Sequence, residues 1–304
     1  MIACKSTEQY QWVHDELGKH FKLRDLGPTS FLLGVQVEHN REKQQLSLSQ
    51  RQYIVDVLEQ FDLGSIGEVS TPMEPGLQLS KDMGPKDAEE AASMKEIPYR
   101  QLVGALMYLA IATRPDIAYS VGVLSCFSAN PGMAHWKALK HLCWYLQKTK
   151  DIKLTYGPEK GTTDLFTTYA DADFAGDQDS KRSTSGMVVK VGSGAVSWSS
   201  KLQVIQTLST TEAEYIAAVS AGQEILWLRN LLIEFGYELN KPSTLYMDNQ
   251  SAISVTQNPE HHGRLKHLDL CHYWLRHAVN DGLISTHYFP TKTMPADIMT
   301  KALG

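Results

Sequence analysis

Two spacings of apolar residues divide the second half of the chain. Alternation with a period of two recurs at 165–172, 185–191, 196–201, 243–248 and 283–290. Successive side chains point to opposite faces of a strand, so these segments predict β-strands. Spacings of three and four residues predict helices at 210–235, 249–257, 266–280 and 294–303. Three strands precede one long helix, followed by a strand, helices, a last strand and a last helix. That order implies an α/β unit over 162–304, a mixed sheet flanked by helices.

The first half reads differently. Residues 1–63 form a smaller α+β unit. "TEQYQWVHDELGKHF" has helical spacing, and "SFLLGVQVEHN" with "QQLSLS" predicts a hairpin. Ser49 and Gln52 make a capping-box pattern ahead of the helix "YIVDVLEQFDL". Residues 64–97 are rich in Gly, Pro, Glu and Lys and predict a linker or long loop. Residues 98–161 return to helices: two apolar ones broken at "TRPD" and ended at "NPG", then the amphipathic "MAHWKALKHLCWYLQKTK". Lys137, Lys140, His141, Lys148 and Lys150 lie near one side of that last helix. They form either a solvated basic face or a contact for a phosphate backbone.

Composition narrows the function classes. The net charge of −5 over 304 residues is not that of a polyanion binder, so nucleic-acid contacts must come from local patches or through metal ions. Cys4, Cys126, Cys143 and Cys271 are far apart without a Cys-x-x-Cys pair, which points to reduced buried thiols rather than zinc. The start of the chain lacks the apolar core of a signal peptide, and the run "LVGALMYLAIA" is too short to span a bilayer. An intracellular protein, cytoplasmic or nuclear, is expected, with no membrane partner.

Several carboxylates occupy positions that need a reason. The apolar stripe of the long helix runs through Ala218, Ala221, Ile225, Leu228 and Leu232, and begins at Glu214. A carboxylate on a core-facing side needs a partner, because an uncompensated buried polar group costs about 2–7 kcal/mol. Glu212 is turned away and suits a cap with Ser209. Asp171 ends the first strand, with Asp173 on the same face. Asp248 ends "STLYMD", where an aspartate also serves as an N-cap. Asp297 follows Pro295 in a first turn, where it also suits a helix dipole. Adjacent in one mixed sheet, these groups could converge at one sheet end, and converged carboxylates bind Mg²⁺ or Mn²⁺.

The same residues resemble the catalytic constellation of ribonuclease H. "YADADFAGDQDSKRSTSG", "SWSSKLQVIQTLSTTEAEYIAA", "DNQSAI", "RLKHLDLCHYWLRHAV" and "ADIMTKAL" together are similar to the C-terminal part of copia-type retrotransposon Pol polyproteins. So are "LGPTSFLLGVQVE", "STPM", "YRQLVGALMYLAIATRPDIAYSV" and "HWKALKHLCWYLQKT" upstream. The resemblance implies a ribonuclease H-like mixed five-stranded sheet, preceded by the end of a reverse-transcriptase palm, a thumb and a connection region. It implies that Asp171, Glu214, Asp248 and Asp297 hold two Mg²⁺ (or Mn²⁺) ions and hydrolyse the RNA strand of an RNA–DNA hybrid, with Asp173 as rival for the first place. Other Pol polyprotein segments are implied partners. Lys181, Arg182, Lys201, Lys266 and His267 are candidates for contacts with the nucleic-acid backbone. His287 precedes Asp297 but falls on a predicted strand, so the mobile histidine of ribonucleases H is not carried over. In the family a Tyr-Val-Asp-Asp polymerase motif directly precedes the stretch resembling "MIACKS". No such Asp pair occurs in this sequence, so polymerase activity is not expected of it. A catalytically inactive, nucleic-acid-binding remnant is the alternative reading.

Overall fold

The computed structural model describes all residues except 1, 3, 5, 65, 66, 68, 160–163, 258–268, 303 and 304, and gives 269–273 as backbone alone. Helix α1 (Thr7–Gly18) starts at Ser6, whose Oγ accepts from Gln9 N at 3.3 Å. Strands β1 (Phe31–Leu32), β2 (Val35–Asn40) and β3 (Gln45–Ser49) follow in antiparallel order.

Helix α2 (Arg51–Gln60) does not begin with the expected capping box. Gln50 takes the N-cap position without a side-chain cap, and Ser49 Oγ accepts from Arg51 N at 3.2 Å. A tertiary partner wins over the local one: buried Gln50 accepts a hydrogen bond from Thr113 Oγ1 at 2.8 Å. Residues 64–97 carry a 3-10 turn at Lys81–Met83 and helix α3 (Ala88–Lys95), which Asp87 caps.

Helices α4 (Tyr99–Ala112), α5 (Ala118–Ser125) and α6 (Met133–Thr149) pack with α2 around one core that includes Leu102, Leu106, Leu124, Leu139 and Leu142. Part of the basic side of α6 is taken by the chain itself. His141 Nε2 meets Thr71 O at 2.9 Å, and Lys148 Nζ donates to Ser70 Oγ at 2.9 Å. Cys143 is buried in this core, whereas Cys4 and Cys126 are exposed, contrary to the expectation of buried thiols. After α6 the chain adds β4 (Leu154–Tyr156) beside β3, completing a four-stranded sheet ordered β1-β2-β3-β4.

The second sheet has five strands: β5 (Thr167–Asp173), β6 (Thr184–Val191), β7 (Gly194–Leu202), β8 (Ser243–Met247) and β9 (Ile284–Tyr288). Their order is β7-β6-β5-β8-β9, antiparallel across β5, β6 and β7 and parallel across β5, β8 and β9. This is the expected five-stranded mixed sheet. Helix α7 (Thr210–Glu234) lies across it, with α8 (Gln250–Gln257) and α9 (Asp269–Asn280) beside it. The predicted helix over 294–303 is absent: a 3-10 turn at Pro295–Met299 takes its place. Just past this turn Ala302 packs against the helical core, and Thr300 N and Lys301 N both donate to Asp297 O, at 3.1 and 3.2 Å.

Among the described residues, no helix is long and apolar enough to cross a membrane.

Candidate metal centre

The parallel pairing of β5 and β8 sets the register of the site. Tyr169 lies level with Tyr246, so Asp171 and Asp248, each two residues further on, arrive at the same end of the sheet. Helix α7 buries Ala218, Ala221 and Ile225 in the same core as Ala170, Val189 and Leu245. One turn before Ala218, Glu214 therefore overhangs the strand ends, where the Ala172 backbone N–H donates to its carboxylate. One oxygen from each of Asp171, Glu214 and Asp248 lies within 4.8 Å of the other two.

Asp297 approaches from the opposite sheet face. Tyr169 and Tyr246 stack at 5.2 Å, and Phe289 meets each of them edge-on. Met294 and Ala296 bury against this aromatic group and carry the 3-10 turn toward β6. Gly186, paired with Asp171 across β5 and β6, permits the close approach. A Cβ there would stand 2.6 Å from Thr300 Cγ2 and 2.7 Å from Met299 Cβ. Asp297 stands outside the three converged oxygens, although its charge acts on both Asp171 and Glu214. Its Oδ2 pairs with Lys301 Nζ at 2.9 Å. Thr300 Oγ1 donates to Asp171 Oδ2.

Electrostatics and unmet hydrogen bonds fit a divalent cation. Burial pushes the Glu214 carboxyl up to about 9, and the charges of Asp171 and Asp248 add to it. Burial likewise raises Asp171 to about 6, with the Asp297 charge adding and the Thr300 hydroxyl opposing. Among the described residues, Glu214 Oε2 and Asp297 Oδ1 are buried without a hydrogen-bond partner. Hard oxygen donors crowded at this spacing suit Mg²⁺ or Mn²⁺, which relieve the repulsion that raises both carboxyls.

Two of the other aspartates of the 169–186 stretch, Asp177 and Asp179, hold local structure. Asp173 is half-buried at the end of β5 and lies outside the converged group. Asp177 Oδ2 accepts from Ser180 N at 2.7 Å, closing its own loop. Asp179 accepts from Lys81 N at 3.1 Å and so caps the Lys81–Met83 turn of the upstream unit. Arg182 Nε donates to Ser180 Oγ at 2.9 Å, Lys181 Nζ to Gln178 Oε1 at 3.1 Å, and Lys201 is exposed on β7. Lys266 and His267 lie outside the described residues, as do His261 and His262. His287 sits on β9 level with Tyr246. Sequence reasoning missed Thr300 and Lys301. Their spacing of three and four from Asp297 was the available signal, since residues so spaced share a face of a helical turn.

No protein-family model matches the chain. It is 43% identical over 303 residues to the retrovirus-related Pol polyprotein from transposon TNT 1-94 of Nicotiana tabacum, covering 100% of this chain and 22% of that polyprotein. It is 31% identical over 227 residues to the putative transposon Ty5-1 protein of Saccharomyces cerevisiae, covering 74% of this chain and 70% of that protein. Among solved structures, it is similar to LC11-RNase H1 in complex with an RNA/DNA hybrid, at 16% identity and a TM-score of 0.34, over 44% of this chain and 93% of that one.

Proposed function

Because this chain belongs to the retrovirus-related Pol polyproteins of transposons, we propose that residues 162–304 act as a metal-dependent endonuclease of the ribonuclease H type. The substrate is the RNA strand of an RNA–DNA hybrid. Upstream, residues 1–63 represent the end of a reverse-transcriptase palm and thumb, 64–97 a linker or long loop, and 98–161 a connection region. Further Pol polyprotein segments are its partners. The observation that carries the nuclease reading is the convergence of Asp171, Glu214 and Asp248, from two strand ends and a helix, to within 4.8 Å of one another.

In this reading Asp171, Glu214, Asp248 and Asp297 hold two Mg²⁺ or Mn²⁺ ions. When bound, such ions lower the pKa of the attacking water and stabilise the departing 3′ oxygen. The Ala172 N–H orients Glu214, and Lys301 pairs with Asp297 and holds it in place. Lys181, Arg182, Lys201, Lys266 and His267 position the nucleic-acid backbone, which fixes register without reading sequence. Contacts to the 2′-hydroxyl select RNA over DNA.

The test is incubation of the purified chain with labelled RNA–DNA hybrid, duplex DNA and Mg²⁺. Cleavage of the RNA strand alone is expected, and its loss in Asp248→Asn. Equal cleavage of both substrates, or full activity of Asp248→Asn, would refute the assignment. Salt-dependent hybrid binding without turnover would favour the inactive remnant instead.

A further inference from the structure

We propose that Thr300 is a positioning residue for the metal centre, its hydroxyl fixing one oxygen of Asp171 so that the carboxylate keeps a single orientation toward Glu214 and Asp248. This rests on the metal-centre reading above.

The observation is a buried hydroxyl set between Asp171 Oδ2 and Asp297 O, the latter at 3.1 Å. Thr300 has 0% exposure and donates to Asp171 Oδ2 across 129 residues of sequence. Its own backbone is fixed first. Thr300 N donates to Asp297 O at 3.1 Å, and Lys301 N to the same oxygen at 3.2 Å. The methyl group lies against Gly186, where a Cβ would stand 2.6 Å from it. Beyond Thr300, Ala302 packs into the core of the upstream helices. The turn is thus held at both ends, which keeps the hydroxyl oxygen beside Asp171 Oδ2, with Asp297 O as its other acceptor.

The need for such a donor follows from electrostatics. Asp171 is 4% exposed and faces the charges of Asp248 and Asp297. A carboxylate so placed gains by rotating away from its neighbours, which spoils a cation site. A hydrogen bond from a donor fixed in the fold opposes that rotation. Groups that orient metal ligands in this way typically contribute about 10- to 100-fold to metal affinity. Thr300 and Lys301 divide the work: the hydroxyl orients Asp171, while the ammonium pairs with Asp297.

The experiment compares the full chain with Thr300→Val, Thr300→Ser and Asp248→Asn. Mn²⁺ binding is measured by calorimetry, and hybrid cleavage is followed against Mg²⁺ concentration. Valine keeps the shape and removes the donor, and serine restores the donor. We expect Thr300→Val to bind Mn²⁺ about 10- to 100-fold more weakly and Thr300→Ser to recover most of the loss. Raising Mg²⁺ should restore cleavage by Thr300→Val but not by Asp248→Asn. Circular dichroism in EDTA checks that all variants fold. Wild-type Mn²⁺ affinity in Thr300→Val, or equal losses in the valine and serine variants, would overturn the proposal while leaving the nuclease reading intact. Mn²⁺ binding by the wild-type chain without hybrid cleavage would end the nuclease reading, and the role of Thr300 would still be decided by the binding series.

Discussion

Glu214 shows how one side chain couples folding to the chemistry. Its carboxyl has an ordinary value of 4.5 and is raised to about 9, chiefly by burial. The folded chain therefore holds a proton that the unfolded chain releases, so stability falls as pH rises between those two values. Asp171, raised from 3.8 to about 6, adds to the fall in the lower part of that window. In EDTA the melting temperature should be lower at about pH 8.5 than at about pH 5.5. Glu214→Gln removes the charge and keeps the shape. It should raise the melting temperature in EDTA at the higher pH, have a smaller effect at the lower pH, and abolish cleavage. Mg²⁺ should stabilise the wild type by mass action and stabilise the glutamine variant far less. Identical melting shifts at both pH values would contradict this account of the burial penalty.

Packing between elements decides where the fourth carboxylate sits. Strand β6 and the Pro295–Met299 turn touch through Gly186, where Thr300 Cγ2, Met299 Cβ and Ala296 O would lie 2.6, 2.7 and 3.0 Å from an added Cβ. An alanine must push the turn away, and overpacking of this kind typically costs about 1–3 kcal/mol. Gly186→Ala should lower stability by that amount in urea denaturation. Cleavage should fall further than the stability loss explains, because Asp297 and Thr300 move with the turn. Wild-type cleavage in a folded Gly186→Ala protein would show that the turn's position does not matter. Helix α7 was the most legible element, because an apolar stripe ending in Glu214 leaves little choice of facing. The last turn was misread as a helix because its pattern of Pro295, Asp297 and Met299 suits either form, and the deciding contacts come from residues over a hundred positions earlier.

At the scale of the whole molecule, the upstream helices and the five-stranded sheet are joined rather than merely tethered. The last carbonyls of a helix lack partners within it. Ala110 O, near the end of α4, receives its hydrogen bond from Trp198 Nε1 on β7 at 2.7 Å. Asp179 caps the Lys81–Met83 turn, and Tyr156 OH donates to Ala195 O at 2.9 Å. Trp198→Phe keeps an aromatic ring but orphans the Ala110 carbonyl, and leaving a buried acceptor unmet costs about 1–3 kcal/mol. That loss should appear in chemical denaturation, whereas Trp227→Phe, at 57% exposure, should be near neutral. Equal effects of the two substitutions would argue against a junction made by Trp198.

Local pattern was enough to determine the strands of the sheet unit, its helices apart from the last, their order, and the odd placement of Asp171, Glu214, Asp248 and Asp297, because the period is a property of neighbouring residues. Only the tertiary structure decided that three of these carboxylates share one cluster while Asp297 stands beside Lys301. It alone also decided that β4 closes the first sheet, that the last turn is clamped between β6 and the helical core, and that Thr300 reaches Asp171. Such contacts depend on sheet register and on the room left by Gly186, and no spacing along the chain encodes a distance between residues 129 positions apart.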